Sequence, residues 1–500
     1  MKKSLIFLLC ALFVVSAFAS CAGNPADTGK VNDDTTAAIS ETETEPEETE
    51  DQNYVMDPDT IAKASQFKGQ TLTILANSGF WPADDLWREE DSEDPVDSAI
   101  YNRNLAVESK YGIKIDIVED TAVATTIKNA FKSGISDYDV AAFCAYEACP
   151  LASENIFQDL TQIDNLDLSK HYWDQGLFEG LSIDNKLFYI TGDISTKANA
   201  GTFLMMFNKK LAADFDLDDL YQVVRDGKWT LDYLNNLLKE HGYQDFNGDS
   251  KVGVEDVYGM GIQIEAYLAF YFGAGGRMVL KDNDQMPYLE LNTEKNISII
   301  DKIYTITQTD NMTIDAHDHL NEPPYSSGEG FASTVAFKEN RCLFYLSNAA
   351  NILGLREMDA DFGVLPTPKL DEAQKDYYSY VYHGVSMFVI PVMNKRTEFT
   401  GFALEALAAE SYKTVTPAYY EQTLKRKSQR DADSWDMLDI VFRNRLWDLG
   451  YYASWGGLDN SFIQQIKKGT GSFAKWYKSA SKSATKAINK YIDAYNKSAS

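Results

Sequence analysis

The sequence predicts an α/β fold in more than one lobe, on three observations. Between residues 71 and 143, apolar runs of strand length alternate with amphipathic helical patterns that stop at glycines. The order strand, helix, strand, helix, strand builds an open, mostly parallel sheet. From residue 337 the same alternation resumes, and the 500 residues, 44% of them hydrophobic, correspond to two or more domains at roughly 100–200 residues each.

The chain opens on an export signal. Lys2 and Lys3 give a positive tip, residues 5–15 are uncharged and largely apolar, and Ala17, Ala19 and Ser20 lead into Cys21. A basic start, a short apolar run and a small-residue cleavage site are the parts of such a signal. The run falls short of the roughly 20 residues that span a membrane. A cysteine directly after the small residues resembles a bacterial lipoprotein signal. That implies residues 1–20 as signal peptide, cleavage before Cys21, and acylation of its thiol by a fatty acid such as palmitate. Phe18 departs from the Leu, Val or Ile usual there, and an ordinary secretory signal with a chance cysteine is the alternative. Residues 21–65 are rich in Thr, Glu, Asp and Pro, with Glu41, Glu43, Glu45, Glu47 and Glu48 among them. An acidic stretch without apolar periodicity is expected to be a disordered, self-repelling tether.

The folded part is expected from residue 66 onward. Residues 71–76 (TLTILA) read as a buried strand, ending in a loop with Phe80 and Trp81. Residues 98–111 read as a helix closed by Gly112, and 113–118 as an alternating strand. Residues 125–132 read as a helix ending before Gly134, and 139–143 as a third strand followed by a loop over 144–150. Ligands gather beyond the carboxyl ends of strands in such sheets, and the loops with Trp81 and with Tyr146 and Glu147 lie at two such ends. Residues 187–193 (LFYITGD) read as a strand, 194–201 as a polar link and 202–207 as an apolar strand, a pattern that suits a crossing between lobes. Residues 230–241 read as helix, 342–346, 361–365 and 385–390 as strands, and the chain beyond 402 as mostly helix.

The net charge of −29 argues against nucleic-acid binding, which needs a basic surface. It also argues against adsorption to anionic membranes without a lipid. Cys10 leaves with the signal, so Cys144, Cys149 and Cys342 remain beside Cys21. An odd set of three is no disulfide scaffold; a Cys144–Cys149 bridge and small buried side chains are both open. No Gly-x-Ser-x-Gly elbow, His-Glu-x-x-His or P-loop occurs. Carboxylate pairs are unavoidable among 75 acidic residues, so they do not indicate a glycosidase, and the chain is expected not to be an enzyme.

A resemblance rests on blocks in a fixed order: residues 207–210 (FNKK), 227–230 (GKWT), 336–338 (AFK), 362–368 (FGVLPTP), 383–386 (HGVS) and 389–391 (VIP). In this order they resemble the extracellular solute-binding proteins of ABC importers, nearest the family 1 carbohydrate-binding class that includes maltose-binding protein. Residues 411–420 resemble a block of lipoprotein members from clostridia-like bacteria. The resemblance spans nearly the whole chain after the tether. It implies a two-lobed periplasmic-binding-protein-like fold of type II with a ligand cleft between lobes. Residues 66–194 and 366–412 would form the N-lobe, 195–365 and 413–500 the C-lobe. It further implies a receptor, expected to be monomeric and lipid-anchored on the outer face of the bacterial cell membrane, that closes on a carbohydrate, an oligosaccharide by expectation, and delivers it to ABC permease subunits.

Sugar recognition needs aromatic faces that stack on pyranose rings and planar polar groups that pair with hydroxyls. Trp81, in a Gly-Phe-Trp-Pro turn, is the first candidate, and Tyr146 with Glu147 the second. By the resemblance Glu147 falls on an acidic ligand position, with Ala148 in place of the basic partner, and Asn348 stands where a stacking tryptophan is frequent. Asp193 and His383 lie near the expected crossings, and Trp455 follows a helix where it would cap the cleft. Packing on the lobe surface for Trp81, a satisfied buried histidine for His383 and core packing for Trp455 are the plain alternatives.

The sharpest local motif spans residues 245–256. Asp245, Asn247, Asp249, the Lys251 carbonyl and Asp256 hold positions one, three, five, seven and twelve of an EF-hand-type loop, the oxygen set that Ca²⁺ takes. Ser250 replaces the sharp-turn glycine and Asp256 the longer Glu. A structural Ca²⁺ is expected, with a solvated turn as the alternative. The competing functions are capture of another solute, such as a peptide, and a surface lipoprotein that binds or hydrolyses glycans.

Overall fold

The computed structural model describes residues 51–325, 330–355, 358–424 and 432–497. The expected signal peptide, Cys21 and most of the tether lie outside the described residues. Residues 51–65 do not read as a disordered tether. Asp51 caps a 3-10 turn, Gln52–Tyr54, and Asp57 caps the helix Pro58–Ala62. Tyr54 stacks on Tyr412 with ring centroids 4.0 Å apart, and Met56 is buried. Two apolar anchors in an acidic stretch are enough to fix it locally.

The first sheet forms as its patterns dictate. Strand β1 (Thr71–Asn77) is followed by helix α1 (Pro95–Tyr111), strand β2 (Lys114–Asp120), helix α2 (Val123–Ser133) and strand β3 (Val140–Cys144). β1 runs parallel to both, with Thr71 opposite Lys114 and Ile74 opposite Val140. The Asp94 carboxylate accepts the Val96 and Asp97 N–H groups, donors that a helix start leaves without partners. Gly112, at φ +68°, ends α1. The loop expected over 144–150 is instead a helix, α3 (Ala145–Leu151). Ala145 and Ala148 are strong helix formers and face the core.

Residues 187–193 form no strand. Ile190 makes one bridge to Phe388 and Gly192 one to Trp173. Leu187, Phe188, Tyr189 and Ile190 are all buried, so the apolar run reflects enclosure on every side, which a sequence pattern cannot separate from a strand. After the short helix Lys197–Ala200 come β4 (Phe203–Asn208), β5 (Tyr258–Ile262), helix α4 (Ala266–Gly273), β6 (Thr313–Asp315), β7 (Cys342–Asn348) and β8 (Phe362–Leu365). These make a second sheet in the order β8-β4-β7-β5-β6. Trp229 is fully buried and donates its indole N–H to the Pro366 carbonyl at 2.8 Å, while Thr230 caps the helix Leu231–Glu240. Truncating such a ring to Ala costs about 3–5 kcal/mol.

Strand β9 (Ser386–Val389) returns to the first sheet beside β3, with Ser386 opposite Cys144, which gives the order β9-β3-β1-β2. The chain therefore crosses between sheets near residues 194–202 and 380–385. A further link pairs Arg445–Leu446 with Ser379–Tyr380 in parallel. Helix α5 (Thr397–Leu424) packs on α1, followed by α6 (Ala432–Arg443) and the closing helix α7 (Phe473–Lys497). The Tyr491 hydroxyl on α7 bonds the Cys149 carbonyl, which ties that helix to the first sheet's side. Cys144, Cys149 and Cys342 are free and buried, so Cys144 and Cys149 are not bridged. No helix among the described residues is long and apolar enough to cross a membrane.

Candidate functional site: an aromatic row at the strand ends

Trp81 lies beyond the carboxyl end of β1 with φ +50°, a left-handed conformation that is costly for a bulky side chain. Asn77 holds it there. Its amide donates to the carbonyls of Phe80 at 2.9 Å and Trp81 at 3.2 Å, and its oxygen accepts the Gly79 N–H at 3.1 Å. The Trp81 indole N–H meets no acceptor among the described residues. Phe80 and Trp87 on the same loop are exposed. The loop is fastened to the first crossing by Asp85, whose carboxylate accepts the Ser195 hydroxyl at 2.7 Å and the Thr196 N–H at 2.5 Å.

Beyond β3, the Ala145 and Tyr146 N–H groups each donate at 3.0 Å, to the carbonyls of Val385 and His383. This stitching lays the segment before β9 across the strand ends. Trp81 and Tyr382 then stand 5.1 Å apart between centroids, Tyr382 and His383 4.9 Å, and His383 and Tyr146 5.3 Å. Buried Tyr451 stacks on His383 at 5.2 Å with the planes 6° apart. Gly384 leaves the space: a Cβ there would lie 2.6 Å from the Tyr382 ring and 3.2 Å from the indole.

Burial holds His383 below its ordinary pKa, so near neutral pH it offers an uncharged ring. Burial also raises the carboxyls of Glu147 and of Glu265, which sits just past the carboxyl end of β5 at the start of α4. The Cys144 thiol is pushed up to about 12 by burial and is inert. Asn348 ends β7, buried, with its oxygen accepting from Asn351 at 2.8 Å. Rings with flat faces, beside carboxyls and amides, are chemically suited to a neutral polyhydroxylated ligand.

Of the residues singled out from sequence, the fold brings Trp81, Tyr146 and His383 into one row, with Glu147 beside it and Asn348 at an end of the second sheet. Asp193 faces elsewhere: its carboxylate accepts the Thr416 hydroxyl at 2.9 Å. Trp455 is 2% exposed, 5.4 Å from Tyr491 on α7, and offers no face to a ligand in this conformation. Sequence reasoning missed Tyr382, Tyr451 and Glu265. Adjacency to His383 was an available signal for Tyr382; nothing local marked the other two.

In the 245–256 loop, Ser250 takes φ +63°, the conformation a glycine would supply. The Asp245 carboxylate accepts the Gly248 and Ser250 N–H groups, Asn247 that of Asp249, and Asp249 that of Lys251. Asp256 turns inward onto the N–H groups of Phe246 and Gly253 and the Tyr243 hydroxyl. Among the described residues no three His, Cys, Asp or Glu side chains converge as a metal site would require. The loop as folded thus presents the first three positions and withholds the twelfth.

No protein-family model matches the sequence, and no curated protein does. Solved structures do. The maltose/maltodextrin-binding domain MalE from Bdellovibrio bacteriovorus, bound to maltotriose, is 15% identical over 84% of this chain and 100% of its own, with a TM-score of 0.51. A cyclo/maltodextrin-binding protein complexed with maltotetraose is 13% identical over 86% and 97%, at 0.52. UspC of M. tuberculosis is 14% identical over 83% and 100%, at 0.53. Likeness at these identities establishes the fold: a two-lobed α/β architecture of the type II periplasmic-binding-protein kind, with its cleft between lobes.

Proposed function

We propose that this protein is an extracellular carbohydrate receptor of an ABC importer that captures an oligosaccharide by closing its lobes. The observation that carries this reading is the row of Trp81, Tyr382, His383 and Tyr146 at the strand ends, with Trp81 held in a costly conformation and its N–H without an acceptor. Backbone strain of order 1–3 kcal/mol persists where surroundings impose it, commonly at ligand clamps. The row supplies stacking faces, the indole N–H a donor for a hydroxyl, and Glu147 and Glu265 acceptors. Two of the solved structures of like fold were bound to maltotriose and maltotetraose, which supports the ligand class. Ligand that touches both lobes favours the closed state by its differential affinity.

The reading extends to acylation of Cys21, attachment to the outer face of the cell membrane, and delivery to permease subunits; the lipobox-like start supports these steps. The protein acts as a monomer and catalyses no reaction. A structural Ca²⁺ at Asp245, Asn247, Asp249, the Lys251 carbonyl and Asp256 would require Asp256 to leave its inward bonds to the Phe246 and Gly253 N–H groups and the Tyr243 hydroxyl. Thermal melting against mono- and oligosaccharides tests the central reading, because a ligand specific to the folded state raises the melting temperature. A selective, concentration-dependent rise without sugar turnover supports it. A rise with peptides alone, or consumption of the sugar, overturns it.

A further inference from the structure

A cavity lies away from the aromatic row. It encloses about 790 Å³, within the roughly 300–1,000 Å³ typical of small-molecule sites. None of its lining residues belongs to the row. Its walls come from α5, α6, the crossing segments, residues 171–175 and Tyr54 among the first described residues. Tyr54 and Tyr412 stack at one side and Tyr420 and Trp435 at another, with centroids 5.5 Å apart for the second pair.

Beside Lys413, the lining holds two ion pairs. Arg445 pairs with Asp174 at 3.1 Å and also bonds Asn199, and Arg443 pairs with Asp439 at 2.9 Å. Asp193 differs. It has the Thr416 hydroxyl at 2.9 Å but no salt bridge among the described residues, and it stands within electrostatic range of Tyr54, Tyr412 and Tyr420. Arg445 acts on this carboxylate only at a distance, its direct bonds going to Asp174 and Asn199. A carboxylate with no salt bridge, set among aromatic faces, attracts an organic ammonium, which the faces draw by their quadrupoles and the carboxylate neutralises.

We infer that this cavity is a binding site for a small organic cation, whose ammonium meets Asp193 and whose body rests against Tyr54, Tyr412 and Tyr420. Burial raises the Asp193 carboxyl to about 7, outweighing the Thr416 hydroxyl and the more distant Arg445. The location gives the site a further consequence. Asp193, Asn199 and Arg445 belong to the segments that join the lobes, and Arg445 also bonds Thr202 at the first crossing at 3.0 Å. A ligand here touches the hinge directly, so its affinity and that of the cleft ligand are linked wherever the hinge angle alters the cavity.

The test uses the purified protein with choline as probe and 3,3-dimethylbutanol as its uncharged isostere, read by calorimetry and melting temperature. Choline should bind saturably and the isostere at least tenfold more weakly. Asp193→Asn, which keeps the side chain's shape and its acceptor for Thr416, should lower choline affinity at least tenfold while leaving maltotriose binding in place. Trp81→Ala should do the reverse. Absence of choline binding, equal affinity for the isostere, or an unchanged Asp193→Asn variant overturns the proposal. Loss of maltotriose binding in Asp193→Asn without any choline binding would place the carbohydrate in this cavity instead, and overturn it as well. Because the two ligands and the two variants are read separately, failure here is distinguishable from failure of the carbohydrate reading.

Discussion

The indole of Trp81 and the phenol of Tyr382 lie 5.1 Å apart and tilted by 57°, although they are far apart in the chain. One follows the first strand of the first sheet; the other precedes that sheet's last strand. The backbone bonds from Ala145 and Tyr146 to Val385 and His383 bring them together. The row is therefore a product of topology as much as of residue type.

Trp81 separates stability from function. A glycine accepts φ +50° without strain, so Trp81→Gly should hold or raise the melting temperature. It also removes a stacking face, worth about 1.4–2.8 kcal/mol or about 10–100-fold in affinity. Melting curves and sugar titrations on one preparation check both halves. A variant that melts much lower and binds as before would show the tryptophan to be packing alone.

Gly201 tests the crossings. A Cβ there would fall 2.4 Å from Val385 Cγ1, and the Gly201 carbonyl accepts the Tyr382 N–H at 2.8 Å. Gly201→Ala should destabilise by about 1–3 kcal/mol through overpacking. Adding Val385→Ala should recover part of that loss. Urea denaturation of the single and double variants measures it.

Glu405 sets a pH dependence. It is 1% exposed and bonds the Tyr172 hydroxyl, the Trp173 indole at 3.0 Å and the Asp167 N–H at 3.3 Å. Burial raises its carboxyl to about 7, from 4.5. The folded state thus holds a proton that the unfolded state releases between those values. Stability from this group is full below about pH 4.5 and is lost as pH rises through about 7, a change of up to about 3 kcal/mol. Glu405→Gln mimics the protonated form and should flatten that part of the profile. Denaturation midpoints from pH 4.5 to 8 show whether it does.

Calcium should raise the melting temperature at millimolar concentration, and Asp249→Asn should abolish the rise. An equal response in wild type and variant would leave the 245–256 loop as a turn held by its own hydrogen bonds.

The first sheet, and β4, β7 and β8 of the second, were legible in sequence because their signals are local; the short strands β5 and β6 were not read. β1, β2 and β3 carry apolar runs, and Gly112 and Gly134 stop α1 and α2, while the start of α1 after Asp94 lies before the expected residue 98. What escaped depends on enclosure. The run 187–190 is apolar because it is buried on all sides, and the helix at 145–151 hides behind Pro150. In the site, Trp81, Tyr146 and His383 were visible as polar-tipped rings in loops at strand ends. Tyr382, Tyr451 and Glu265 acquire their places only when distant segments meet, and Asp193 lines a separate cavity for the same reason.

The most direct test of the central claim is isothermal titration of maltotriose and longer maltooligosaccharides, with a panel of other oligosaccharides, into wild-type protein and Trp81→Ala. The account predicts saturable one-to-one binding of at least one oligosaccharide by the wild type, weakened about tenfold or more in the variant. Binding by neither protein to any carbohydrate, or equal affinity in both, would contradict it.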